Sequence, residues 1–161
     1  MRESTTPATT KHIAIRAAAL RDVPAILALE QATPGAAHWS QVHYQSRVQS
    51  PVQDVCFLVA ESEGRIRAFL CARAVADEWE IENVVVEEKF RRRGIGAQLM
   101  RSLLARWEES GGSSVLLEAR ESNVAARALY RKYGLQEVGR RRAYYREPIE
   151  DAVLYARRRP G

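Results

Sequence analysis

The stretch Val84–Leu99, VVVEEKFRRRGIGAQL, decides how the rest of the chain is read. Three valines end a buried strand, a basic run follows, and two glycines open an amphipathic helix. Gly94 and Gly96 let backbone N–H groups approach an anion closely, and the helix start adds unpaired donors and a partial positive charge. Arg91, Arg92 and Arg93 add full charges. Together these parts make a cradle for a pyrophosphate. The same residues also read as a solvated basic turn before an ordinary helix, and the segment alone does not separate the two. It matches neither GxxxxGK[ST] nor a complete GxGxxG, so the P-loop and dinucleotide-fold signatures are absent.

Working outward, the strand entering this segment starts near Trp79. Ahead of it, Val55–Ala60 and Ile66–Ala76 flank the turn residues Ser62-Glu63-Gly64 and read as a β-hairpin. Earlier still, His12–Arg16 reads as a first strand. A helix follows, with Asp22 at its cap and Pro24 in its first turn, ending near Pro34-Gly35. His38–Arg47 reads as a second helix capped by Ser40. Downstream, Ile95, Leu99, Leu103, Leu104 and Trp107 recur at helical spacing from about Gly94 to Ser110, until Gly111-Gly112 break the helix. Val115–Ala119 is the next strand, Asn123–Tyr133 a helix stopped by Gly134, and Leu135–Arg142 and Asp151–Tyr155 two last strands. The order βααβββαβαββ makes one α+β domain around a mixed, mostly antiparallel sheet flanked by helices. We expect a disordered Ser/Thr/Pro-rich leader over residues 1–11, a domain over 12–156 and a basic tail over 157–161.

With 161 residues and 46% hydrophobic side chains, the chain suits one domain with a real core. Its 25 basic and 20 acidic residues give a net charge of +5. That total conceals an asymmetry: residues 1–90 hold 9 Lys/Arg against 12 Asp/Glu, and residues 91–161 hold 16 against 8. The basic part implies an anionic partner, whether nucleic acid, phosphate cofactor or membrane surface. No apolar run reaches the roughly 18–20 residues that span a bilayer, and Met1–Thr10 lacks the apolar stretch of a secretory signal. Cys56 and Cys71 form no CxxC, and His38 and His43 form no HExxH pair, so we expect no metal and a reducing cytoplasm.

The run Arg91-Arg92-Arg93-Gly94-Ile95-Gly96-Ala97 resembles the [QR]-x-x-G-x-[GA] motif of the GCN5-related N-acetyltransferases, the GNAT family. Leu117-Glu118-Ala119-Arg120-Glu121-Ser122-Asn123, followed by Ala128-Leu129-Tyr130 and Tyr133-Gly134, is similar to the family's L-E-V-R-x-S-N…A-x-x-L-Y…G-F. Arg141-Arg142-Ala143-Tyr144-Tyr145, with Pro148 and Glu150-Asp151-Ala152, resembles R-R-x-Y-Y…P…E-D-A. These last two blocks, and the pair Trp39-Ser40, resemble the RimI type, which acetylates ribosomal-protein alanine. Gly134-Leu135 departs from the usual Gly-Phe, and Pro34–His38 lacks the aromatic-Pro that precedes Trp-Ser in many relatives.

The resemblance implies a GNAT fold and acetyl-CoA as the acyl donor. Backbone groups at Val84 and Val86 would hold the pantetheine arm, Arg91, Arg92, Arg93, Gly94, Ile95, Gly96 and Ala97 the pyrophosphate, and Asn123 a further part of CoA. Glu118 would be the base and Tyr130 the acid, while Trp39, Tyr144 and Tyr145 would line the acceptor site. Without the resemblance, Glu118 reads as a solvated strand residue, Tyr130 as core packing, and Tyr144-Tyr145 as strand aromatics. Glu78, Glu80 and Glu82 share one strand face, either drawing in a cationic peptide terminus or facing solvent.

An α-amine of pKa about 8 is roughly one tenth neutral at pH 7, whereas a lysine amine of pKa about 10.4 is neutral only in a few parts in ten thousand. A weak carboxylate base therefore suits a protein N-terminus, a ribosomal-protein alanine for example, attacked directly in a ternary complex. The alternatives are a GNAT enzyme acting on lysine, a polyamine or another small amine, and a non-enzymatic RNA- or ribosome-binding module. We expect no membrane partner and no direct nucleic-acid role, and find no cofactor explanation for Arg140–Arg142 or Arg157–Arg159.

Overall fold

The computed structural model describes residues 12–160; the expected leader over residues 1–11 lies outside them, as does Gly161. Strand β1 (Ala14–Ala17) leads to helices α1 (Val23–Gln31) and α2 (Gln41–Gln49). Strands β2 (Val55–Ser62), β3 (Arg65–Val75) and β4 (Glu78–Val86) form a meander, followed by helix α3 (Ile95–Ser110). Strand β5 (Ser114–Arg120), helix α4 (Val124–Lys132) and strands β6 (Gln136–Arg146) and β7 (Ile149–Arg158) complete the chain. The element order is the one read from the sequence.

The seven strands form one sheet in the order β1-β2-β3-β4-β5-β7-β6. Only β4 and β5 pair parallel; every other pair is antiparallel. Each sheet face buries its own cluster. On one, α3 lays Ile95, Leu99, Met100, Leu103, Leu104 and Trp107 against Leu70, Ala72, Trp79, Ile81, Val115 and Leu117, with Tyr130 of α4 joining them. On the other, Val23 and Ile26 of α1 and Tyr44 of α2 cover Phe57, Val59, Phe69 and Val85. Leu135, standing where the family usually carries Phe, is completely buried. Among the described residues, no helix is long and apolar enough to cross a membrane.

Two local expectations change. Asp22 occupies the cap position of α1 without capping it; its carboxylate turns back to accept the Ala19 N–H and pairs with Arg16 at 2.7 Å. The last strands are longer than read, because β6 and β7 form a continuous hairpin. Strand β7 therefore runs through Arg157 and Arg158, and the basic tail expected from residue 157 begins inside the sheet. Arg159 is not free either. Its guanidinium donates to the carbonyls of Gly112 at 2.7 Å, Trp107 at 3.3 Å and Glu108, where the end of α3 leaves acceptors unpaired.

Candidate active site

The parallel pairing of β4 with β5 runs from Glu78↔Ser114 to Ile81↔Leu117 and stops there. Beyond it β4 continues on β3 as far as Val86, and β5 continues on β7 as far as Arg120. The facing edges of the two strands are thus left without each other, and a cleft opens between them. The cause lies in β4: Ala72 faces Ile81 whereas Cys71 faces Asn83, so Glu82 is one residue too many and forms a bulge. The β5-facing N–H and C=O groups along Glu82–Val86 lack a strand partner and suit an extended ligand carrying amides of its own.

The mouth of this cleft meets the start of α3. Gly94 caps that helix with φ +77°, a left-handed conformation that glycine adopts without strain, and no side chain caps the helix donors. A Cβ on Gly96 would lie 3.2 Å from Cδ2 of Leu129 and 3.9 Å from Cγ2 of Val86. Gly96 thus serves packing as well, bringing α3, α4 and β4 together at one point. Arg91 donates to the Val86 carbonyl at 3.2 Å, and Arg93 stacks on Phe90 with 4.8 Å from Cζ to the ring. Exposed Arg92 takes φ +63°, as the tight turn demands. Uncapped donors, unpaired strand edge and adjacent arginines fit a pantetheine-pyrophosphate ligand.

Glu118 lies on β5, one wall of the cleft, and Tyr130 on α4, in the core cluster that includes Leu117 and Ala119. Glu118, on β5, is partly exposed and pairs with Arg141 of β6 at 3.1 Å. Tyr130, on α4, is 7% exposed and packs edge-on against Tyr155 at 5.9 Å. Burial, with Tyr145 and Tyr155 nearby, pushes its hydroxyl up to about 12. The two residues share no hydrogen bond; burial, with Glu118 nearby, raises the Tyr145 hydroxyl as well.

Tyr145 has half-lost its contact with water beneath Arg120, whose Cζ lies 4.1 Å from the ring centre. Arg120 pairs with Glu150 at 3.6 Å, and a Cβ on Gly35 would lie 3.3 Å from its Cδ. Through Arg120 the α1–α2 linker and the β6–β7 hairpin meet over the end of β5. Tyr144, 51% exposed, packs edge-on against Tyr145 at 5.1 Å. Both tyrosines stand beside a bulge in β6, where Ala143 takes φ +49° and its N–H donates to Asp151. Trp39, on the linker, is 38% exposed, and its ring stacks on His43 at 4.2 Å. Asn123 caps α4, its side-chain oxygen accepting the Ala126 N–H at 3.2 Å, which leaves its amide N–H groups for a ligand.

On the glutamate face of β4, Glu78 and Glu80 are exposed, as the solvent-facing alternative has it, and Glu82 alone departs from both alternatives. Glu82 faces neither solvent nor a vacant slot: its side chain is 5% exposed and pairs with Arg47 at 2.6 Å and with His43 at 3.5 Å. Arg47, His43, Asn83, Arg120 and Arg141 were not singled out as site residues. Their partners are 20 or more residues away along the chain, and no local pattern marks such pairs.

A cleft between splayed parallel strands, opening onto a glycine-capped helix start, is the arrangement that the resemblance to the GNAT acyltransferases implied. Residues 23–135 match the acetyltransferase (GNAT) family. The ribosomal protein bS18-alanine N-acetyltransferase of Salmonella typhimurium is 38% identical over 97 residues, 59% of this chain and 66% of that protein. The crystal structure of the ribosomal-protein-S18-alanine N-acetyltransferase from Escherichia coli superposes with a TM-score of 0.78 at 30% identity, covering 90% of this chain and 92% of that one. Ard1 from Thermoplasma volcanium superposes with a TM-score of 0.81 at 25% identity, over 92% and 99% of the two chains. The chain belongs to the GNAT family and is an N-acetyltransferase.

Proposed function

We propose that the protein transfers acetyl from acetyl-CoA to the α-amine of a protein N-terminus, a ribosomal-protein alanine being the acceptor its relatives' names indicate. The observation that supports this reading is the splayed β4–β5 edge opening onto the glycine-capped start of α3, with Glu118 carried by one of the two strands that form it. The unpaired edge of Glu82–Val86 holds the pantetheine arm, Arg91–Ala97 the pyrophosphate, and Asn123 a further part of CoA. When bound, acetyl-CoA supplies an acetyl group already activated as a thioester.

Glu118 takes a proton from the acceptor ammonium, directly or through one water, and its partial exposure leaves room for that water. Tyr130 keeps its proton at every physiological pH and gives it to the departing sulfur. Moving that proton from a phenol near 12 to a free thiolate of pKa about 8.5 would be uphill by about 5 kcal/mol. Donation is therefore concerted with C–S cleavage. Trp39, Tyr144 and Tyr145 wall the entrance taken by the acceptor's first residues. Cys56 and Cys71 are buried with their thiols pushed up by burial, which supports direct attack over a cysteine-bound acetyl group. Both are free thiols, in keeping with action in the cytoplasm.

Purified protein is tested with acetyl-CoA and matched peptides carrying free or blocked α-amines. Acetylation confined to free termini supports the reading; equal rates with blocked termini would transfer it to a lysine or small-amine acceptor.

A further inference from the structure

The bulge in β4 alters the chain's alternation as well as its pairing. Trp79 and Ile81 point to the α3 side, and so do Val84 and Val86. Between them, Glu82 and Asn83 both point to the α1–α2 side, where Val85 also lies. Two consecutive side chains on one face give β4 two polar anchors where a regular strand would have one.

Both anchors hold α2 and the linker before it. Glu82 accepts from Arg47 Nε at 2.6 Å and Nη2 at 3.0 Å, and faces His43 Nε2 at 3.5 Å. Asn83, 8% exposed, donates through Nδ2 to the Ala37 carbonyl and to the Tyr44 hydroxyl, each at 3.1 Å. Tyr44 donates in turn to Glu30 of α1, a carboxylate only 1% exposed that also lies 3.8 Å from His38 Nδ1. The linker is thus held at the Ala37 carbonyl, at the His38 ring beside Glu30 and, through His43, at the Trp39 ring. Most of the linker is exposed and buries little apolar surface, so these polar contacts set its position.

We propose that Glu82 and Asn83 are positioning residues for the acceptor: through Arg47, His43 and Tyr44 they fix the 32–40 linker, and with it the Trp39 ring, at the cleft mouth. This inference rests on the N-terminal acceptor reading. Neither residue touches the acceptor; the same backbone irregularity opens the donor cleft and hangs the acceptor wall beside it.

The test compares wild type with Glu82→Gln, Tyr44→Phe, Arg47→Met and Arg47→Lys. It uses a free-terminus peptide that wild type acetylates, calorimetric titration with acetyl-CoA, and amide hydrogen exchange over residues 33–40. For Glu82→Gln, Tyr44→Phe and Arg47→Met, acceptor KM rises about tenfold, equivalent to about 1.4 kcal/mol, while kcat and acetyl-CoA affinity stay within about threefold. Exchange over 33–40 accelerates, and Arg47→Lys recovers most of the KM. Unchanged KM and exchange in the folded variants would overturn the proposal. So would acetyl-CoA affinity falling in step with acceptor KM, which would assign the pair to shaping the donor cleft. Should Glu82→Gln not fold, Tyr44→Phe removes a single hydroxyl and carries the same test. Should wild type acetylate no free N-terminus, the acceptor reading fails. The exchange measurement needs no acceptor and still decides whether the anchors hold the linker.

Discussion

Arg141 Nε lies 3.1 Å from Oε1 of Glu118, so the carboxylate we propose as base already holds a cation contributed by β6. An acceptor ammonium approaching the thioester meets the same oxygen. Arg141 is 57% exposed and its pair with Glu118 is a surface one, worth well under about 1 kcal/mol. The acceptor can therefore displace the guanidinium at little cost, and the strand that carries it also carries Tyr144 and Tyr145.

Removing the proton-transfer groups separates chemistry from binding. Glu118→Gln and Tyr130→Phe each lower kcat by about 10²–10⁴-fold while acetyl-CoA affinity is retained. Steady-state rates with calorimetric titration check this, and wild-type turnover in both variants would remove these roles.

Tyr130 also predicts a pH effect on stability. Its folded hydroxyl titrates near 12 and its unfolded one near 10, so the unfolded state ionises first as pH rises. The stability contributed by the protonated folded form is intact below about pH 10 and lost as pH climbs toward about 12. Between pH 9 and pH 11 wild type loses about 1 kcal/mol more than Tyr130→Phe does. Urea denaturation at the two pH values measures the difference, and identical losses would contradict a buried phenol at this position.

Gly94→Ala isolates backbone conformation from packing, because a Cβ there has no neighbour within 4 Å. The positive φ costs about 1 kcal/mol of stability. Any turn that relaxes to relieve it withdraws donors from the pyrophosphate site. Thermal denaturation shows the first effect and acetyl-CoA titration the second.

Arg159→Ala removes the guanidinium that closes the end of α3 and lowers stability by about 1–2 kcal/mol. Activity of the folded enzyme is unchanged. A thermal midpoint identical to wild type would show that the carbonyls of Trp107, Glu108 and Gly112 are equally served by water.

Local periodicity made much of this fold legible. The α3 stripe, the Ser40 cap, which accepts the His43 N–H at 3.1 Å, and the β2–β3 turn all depend on residues within one turn or hairpin. Glycines and arginines of the 91–97 loop were legible for the same reason. The pairs that shape the site were not. Glu82 with Arg47, Glu118 with Arg141, and Arg120 with Glu150 join elements brought together only by the closed sheet. Asp22 misled because a carboxylate at a cap position has two uses, and Arg16 claimed it. The arginines near the chain end looked like an unassigned charge run because their acceptors are backbone carbonyls, which leave no trace in residue spacing.

The extra residue at Glu82 makes β4 a strand with two reading frames. Before it, odd-numbered residues address α3; after it, even-numbered ones do. Deleting that one residue would restore an unbroken frame: Val84 and Val86 would stay turned toward α3, and Asn83 alone would face α2 between Ile81 and Val84. A regular β4 would offer β5 a partner where the cleft now stands. The count of residues in this strand is therefore as much a part of the site as their identity: one fewer would take an anchor from α2 and leave the α3 face of the strand as it is.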